Sequence, residues 1–342
     1  MKTNFFDFDL PEELIAQYPA EERDRSRMMV VDRSTGMIDH RYFYEIDRFL
    51  TAGDVIVVNN SRVIPVRLLG RKKTGAAIEI LLLTEEGSSH TWTALLRPGK
   101  RVSEGTQLVF DDTAHAVVTK RLSPKKWLLE FYTEEPFLDF LNRVGKAPLP
   151  PYIRRENHDR HRSSDLERYQ TVYAKSPGSV AAPTAGLHFS EEVLAAIRHK
   201  DIPVVPVTLH VGYGTFLPVE TEDVENHVME EERFTIPEET ARIVNAARRV
   251  IAVGTTTVRC LESAAGGRST ITARDGRTDL FLYPGKTFSV ADVMVTNFHL
   301  PRSSLFLLVC AFAGTELMKC AYDEAIRERY RFYSYGDCML IL

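Results

Sequence analysis

Two textures of hydrophobic and polar positions divide the chain. Residues 55–58, Val-Ile-Val-Val, are continuously apolar, the pattern of a strand buried on both faces of a parallel sheet; the strand is predicted over 54–59. Short apolar runs predict further strands over 27–32, 204–211, 250–253, 280–283 and 293–296. Helical segments are predicted over 11–17, 166–174, 190–200, 238–247, 257–264, 304–313 and 317–330. Asp9 and Ser190 stand where N-caps belong, each followed by two glutamates suited to the positive end of a helix. Strand alternates with helix, which implies an α/β fold: a largely parallel sheet flanked by helices.

Between residues 63 and 144 the pattern changes. Strands rich in β-branched and aromatic residues are predicted over 78–83, 91–96, 106–110, 114–120 and 127–132, with turn signals such as Pro98-Gly99 and Asp111-Asp112 between them. A helix over 136–144 ends the series. The expectation is a small antiparallel β-barrel (63–144) inserted into a discontinuous α/β domain made of 1–62 and 145–342. Pro148-Leu149-Pro150-Pro151 forms an extended connector back to that domain.

Composition narrows the class without naming a reaction. The 342 residues are 44% hydrophobic and 26% charged, values of an ordinary globular protein long enough for two domains. The longest apolar run, 305–313, falls far short of the ~20 residues of a membrane span, and residues 1–9 lack a signal core, so a cytoplasmic protein is expected. Four scattered cysteines form neither a disulfide framework nor a metal spacing. A net charge of −4 argues against a general nucleic-acid coat, yet two basic patches stand out. One holds Arg154, Arg155, His158, Arg160, His161 and Arg162; the other holds Arg327, Arg329 and Arg331.

Four polar clusters fall at predicted strand ends, where open α/β sheets bind ligands. Residues 178–190 hold two glycines, Thr184 and His188 in a nearly uncharged run, which suits either a packed connection or a binding loop. Residues 208–216 contain His210, Tyr213, Thr215 and Phe216. Gly254 to Arg259 opens a helix whose free N–H groups suit a carboxylate or phosphate; Thr255 and Thr256 serve equally as caps. Residues 296–303 contain Asn297 and His299. No dinucleotide loop or Walker motif is present, and no His-x-His or His-x-x-x-His pair occurs in the clusters, so no metal is expected. Convergence of His188, His210, His227 and His299 on loops of one domain favours an active site.

Taken together, segments 178–189, 208–216, 254–259, 296–301 and 330–337 resemble the signatures of the QueA family, the S-adenosylmethionine:tRNA ribosyltransferase-isomerases of queuosine biosynthesis. Residues 54–62 and 92–100 and the N-terminal start also match, so the likeness covers nearly the whole chain. It implies an enzyme that moves the ribosyl part of S-adenosylmethionine onto the aminomethyl group of a 7-deazaguanine at the tRNA wobble position. Adenine and methionine leave, and epoxyqueuosine results. S-adenosylmethionine is then a substrate, and no cofactor is expected. The implied partner is a tRNA with a GUN anticodon, with no membrane, and the protein is expected to be a monomer. One departure is clear: Glu230 stands where the family often has a second histidine, after His227.

The implied chemistry needs a base for the C5′ proton beside the sulfonium and an acid for the departing purine. His188 and His210 are the expected proton carriers, supported by His227 and Glu232. Thr184, Tyr213, Thr215, Phe216, Thr255, Thr256, Arg259, Asn297 and His299 are expected to bind S-adenosylmethionine. Arg154, Arg155, Arg162, Arg331 and Tyr335 are expected to meet tRNA, with Tyr333 or Tyr335 stacking on an anticodon-loop base. Two readings compete: a non-catalytic RNA-binding protein, and another S-adenosylmethionine-dependent tRNA-modifying enzyme.

Overall fold

The structure, a computed structural model, describes residues 1–87, 90–155, 164–267 and 270–342. Its centre is a nine-stranded mixed sheet. Crossing it, the strands run Arg274–Thr278, Glu232–Ile236, Val204–Leu209, Asp54–Asn59, Arg249–Val253, Val293–Asn297, Cys338–Ile341, Arg27–Val31 and Ile38–Tyr42. The four strands from Val204–Leu209 to Val293–Asn297 pair in parallel, and antiparallel pairs extend the sheet on both sides. Asp54–Asn59 is buried at every residue, as its unbroken apolar run requires.

Period-two alternation divides that strand between two cores. Val55 and Val57 pack in a cluster with Val258 and with Phe306 and Leu307 of the apolar helix Ser304–Ala313. Ile56 and Val58 face Phe189 and the helix Glu191–Arg198 on the other side. That helix buries Val193, Leu194 and Ile197, each burial contributing about 1.5–3 kcal/mol. Its N-terminus is closed by Ser190, whose Oγ accepts from the Val193 amide at 3.2 Å, worth about 1 kcal/mol. Among the described residues no single helix is long and apolar enough to cross a membrane.

Six antiparallel strands between Arg67 and Thr133 close into a barrel, in the order Lys126–Thr133, Thr91–Arg97, Ala77–Glu85, Arg67–Arg71, Gln107–Val109, Ala114–Arg121. Helix Phe137–Val144 plugs one side, its Phe140 set edge-on to Phe110 with ring centres 5.2 Å apart. The returning chain pairs Lys146 with Arg67.

Three local expectations differ. Residues 280–283 form no strand, because Leu280 N donates to Thr278 Oγ1 and its carbonyl accepts from Arg259 Nε, committing the backbone to side chains. The polar stretch Arg274–Thr278 supplies the edge strand instead. Helix 166–174 shrinks to one turn, Asp165–Arg168, after which Gln170 takes both backbone groups of Val63, at 3.0 and 2.7 Å, like a missing strand. At residues 11–17 only the 3-10 turn Glu12–Leu14 forms.

Candidate active site

A cavity of about 640 Å³ opens at the carboxyl ends of the parallel strands. One wall is Ala182-Pro183-Thr184-Ala185 from the small-residue loop; the floor is Gly254-Thr255-Thr256 with Thr296 and Asn297. His299, Val211 and Thr215 complete the polar side, and Tyr152, Tyr333 and Ser334 form an aromatic side. No Asp, Glu, Lys or Arg is among the described residues that line it. A charged ligand here must be met by dipoles and neutral polar atoms.

The strongest dipole is the start of helix Thr255–Ser263. Gly254 adopts φ +90°, a turn that other residues resist, and no side chain caps the helix. Its first N–H groups are therefore open to an acceptor. Asn59 braces this floor: its Nδ2 donates to the Leu209 carbonyl at 2.9 Å and to Thr256 Oγ1 at 3.4 Å, and its Oδ1 accepts from the Leu209 and Ser61 amides. Nothing in the sequence pattern singled out Asn59, which reads as the polar end of an apolar strand.

Asn297 ends the neighbouring strand. Its Nδ2 donates to the Tyr333 carbonyl at 3.1 Å and to His188 Nε2 at 3.1 Å. Two carbonyls, of Tyr333 and Asp337, face that nitrogen, so the amide orientation is determined and His188 Nε2 is an acceptor. His188 Nδ1 then carries the proton and donates to Ser26 Oγ at 2.9 Å, which passes its own proton to the Arg23 carbonyl. Burial, aided by Arg331 and Arg23, pushes the His188 pKa down to about 3. His188 thus stands one layer behind the cavity with both ring nitrogens engaged, holding Asn297. Oδ1 of Asn297 is buried without a partner.

His299 does line the cavity. Its Nε2 bonds Thr296 Oγ1 at 2.7 Å, and burial lowers its pKa to about 3. His210, half-buried, follows strand Val204–Leu209 just before the cavity-lining Val211. Burial, then Arg233, lowers its pKa, and its Nδ1 has no partner. Gly178, at φ +136°, lies against this ring; a Cβ there would sit 3.0 Å from its atoms.

Glu232 and Arg259 are both buried and form an ion pair beneath the site. Glu232 Oε1 accepts from the Gly212 amide at 2.8 Å and lies 3.4 Å from Thr215 Oγ1, so the pair shapes the 208–216 loop from below. Tyr213 packs against the barrel core. Phe216 closes the 3-10 turn Tyr213–Phe216. His227 sets its ring edge-on to Phe281 at 5.1 Å, and burial lowers its pKa. Glu230 pairs with Lys126 of the barrel and leans on Gly214, tying barrel to loop.

The residues expected to meet tRNA separate. Arg154 is exposed and bonds Glu12 at 2.6 Å. Arg155 is buried, its guanidinium spanning Asp165 and the Gln17 carbonyl. Arg331 reaches Asp337 at 3.3 Å, and Tyr335 is buried. Tyr333 turns into the cavity wall, its ring centre 4.2 Å from that of Tyr152. Arg162 lies outside the described residues. Tyr152 and Ser26 had no sequence signal: one follows a proline run, the other lies in the N-terminal segment. Among the described residues no three His, Cys, Asp or Glu side chains converge as metal ligands would.

Comparison with known proteins sets this geometry in context. The family model described as queuosine biosynthesis protein matches residues 3–341. An S-adenosylmethionine:tRNA ribosyltransferase-isomerase of Syntrophus aciditrophicus is 53% identical, and one of Geotalea uraniireducens 46%, each match covering all of both chains. The crystal structure of an S-adenosylmethionine tRNA ribosyltransferase from Thermotoga maritima is similar with a TM-score of 0.54 at 38% identity, covering 98% of this chain and 99% of its own.

Proposed function

The chain belongs to the queuosine biosynthesis protein family, and from that premise we propose that it transfers and isomerises the ribosyl moiety of S-adenosylmethionine onto the aminomethyl-deazaguanine of tRNA. The observation that carries this reading is the uncharged cavity at the strand ends, with an uncapped helix start on its floor and paired tyrosine rings on its side. A methionine carboxylate suits the helix N-terminus, and an adenine or sulfonium suits an aromatic face.

In this reading His210 takes the C5′ proton. It is neutral near pH 7 because burial and Arg233 lower its pKa, and Nδ1 is unpartnered. His188 orients Asn297 from behind. Glu232, through Gly212 and Arg259, holds the loop on which His210 rides. His227 lies at the periphery of the same loops. Exposed Arg154 and the partly exposed Arg331 are the tRNA contacts. Residues 63–144 form the inserted domain, joined to the catalytic loops through Lys126 and Glu230. The protein acts as a cytoplasmic monomer on tRNA with a GUN anticodon.

The deciding experiment incubates the protein with S-adenosylmethionine and a GUN-anticodon tRNA bearing the aminomethyl base. Adenine and methionine should be released together and the tRNA should gain the mass of the rearranged ribosyl group. A pure RNA binder releases no adenine. A methyltransferase yields S-adenosylhomocysteine and adds a methyl group only.

A further inference from the structure

The cavity floor brings together two features that a single carbon can join. Val253 and Val295 are register partners on adjacent parallel strands, and the Gly254 amide bonds the Val295 carbonyl at 2.7 Å. The uncapped helix start therefore lies about one strand spacing, ~4.8 Å, from the end of the strand that carries Asn297. One feature offers open N–H groups; the other offers an unpartnered carbonyl oxygen on a side chain only 2% exposed. An acceptor and a donor on one small group would satisfy both.

The fixed orientation of Asn297 matters here. Because His188 and the Tyr333 carbonyl hold its Nδ2, the amide cannot turn over to present a donor instead. The cavity wall can therefore accept a proton donor at this point but cannot serve an anion there. A buried ammonium left without an acceptor is far costlier than a neutral aromatic amine, so the more demanding donor claims the dry acceptor. With no acidic residue among those lining the cavity, Oδ1 is the acceptor next to the helix start.

We infer that the floor of the cavity is a site for a zwitterionic α-amino acid head group, with its carboxylate on the first N–H groups of helix Thr255–Ser263 and its ammonium on Asn297 Oδ1. The inference rests on the proposed use of S-adenosylmethionine and goes further, since it sets the direction of that substrate. Its methionyl end is innermost, and its adenine lies toward Tyr152 and Tyr333. It follows that free methionine is itself a ligand, retained after adenine has gone, and a competitive product inhibitor.

The test displaces labelled S-adenosylmethionine from the full-length protein with L-methionine, N-acetyl-L-methionine and L-methioninol. L-methionine should compete, and the two analogues, lacking the ammonium or the carboxylate, should compete at least roughly tenfold less well. In Asn297→Leu the preference for methionine over its N-acetyl form should collapse. Should this variant fail to fold, the wild-type series still decides. Equal competition by all three, or none by methionine while S-adenosylmethionine binds and adenine is released, overturns the inference and leaves the proposed function standing. Failure of S-adenosylmethionine to bind at all overturns both.

Discussion

His188 and Asn297 are joined ring nitrogen to amide nitrogen at 3.1 Å, with the histidine as acceptor. This single contact turns a conspicuous histidine from a group that meets substrate into one that aims the residue that does.

Replacing His188 by Leu should therefore raise the KM for S-adenosylmethionine roughly tenfold, the loss of about one hydrogen bond's orientation, with a smaller change in kcat. The pH profile of kcat should keep its limb near neutrality, since His188 is neutral down to about pH 3. Disappearance of that limb would show that His188 itself titrates during turnover.

Two buried histidines make the fold acid-sensitive. His188 and His299 both have native pKa values pushed down to about 3 by burial, against 6.5 in the unfolded chain. Between those values the unfolded chain binds more protons, so stability is fully present above about pH 6.5 and falls as the pH drops toward 3. Urea midpoints at pH 7 and pH 4.5 should differ by an amount on the order of several kcal/mol, and His299→Gln should reduce the difference.

Gly178 tests the position of His210. Alanine there would combine a disfavoured φ of +136° with a Cβ 3.0 Å from the imidazole, costing about 1–3 kcal/mol. Adenine release should fall much further than the melting temperature would explain. Wild-type turnover in a folded Gly178→Ala protein would remove His210 from the reaction.

Glu232→Ala leaves Arg259 buried and unpaired and should cost about 3–5 kcal/mol in denaturant unfolding. Adding Arg259→Met should recover part of that stability without restoring turnover, because the Gly212 amide stays unheld. Full recovery of turnover in the double variant would show that the pair serves packing alone.

Arg154 and Arg155 are adjacent in sequence and opposite in role. Arg154→Ala should weaken tRNA binding with a shallower salt dependence and leave the melting temperature unchanged. Arg155→Ala should lower the melting temperature by stranding buried Asp165. Filter binding across a salt series, beside a thermal melt, separates them.

The parts of this fold that were legible share one cause. Residues 54–59 and the barrel strands carry hydrophobic patterns dictated by their own burial, so periodicity found them. Strands Glu232–Ile236 and Arg274–Thr278 escaped because their pairing rests on backbone, with half or more of the side chains in water. The strand-end clusters were visible as small, uncharged runs. Which of their side chains face the cavity was not, since His188 is turned by Ser26, Phe43 and Asn297, all remote in sequence. Tyr152 and Tyr333 reached the cavity wall by the same kind of long-range packing.

Strand Cys338–Ile341 is wedged between Val293–Asn297 and Arg27–Val31, and Asp337 beside it bonds Arg27 across 310 residues of chain. The two ends of the sequence thus meet in the middle of the sheet. On a ribosome, the barrel, whose strands are neighbours in sequence, has all it needs while the sheet still lacks a central strand. Asn297 lies on the rim of that gap: Cys338 is its register partner, and the Tyr333 carbonyl that holds it belongs to the same late segment. Nascent chains should accordingly protect the barrel from protease early and acquire S-adenosylmethionine binding only after residue 341 has cleared the exit tunnel.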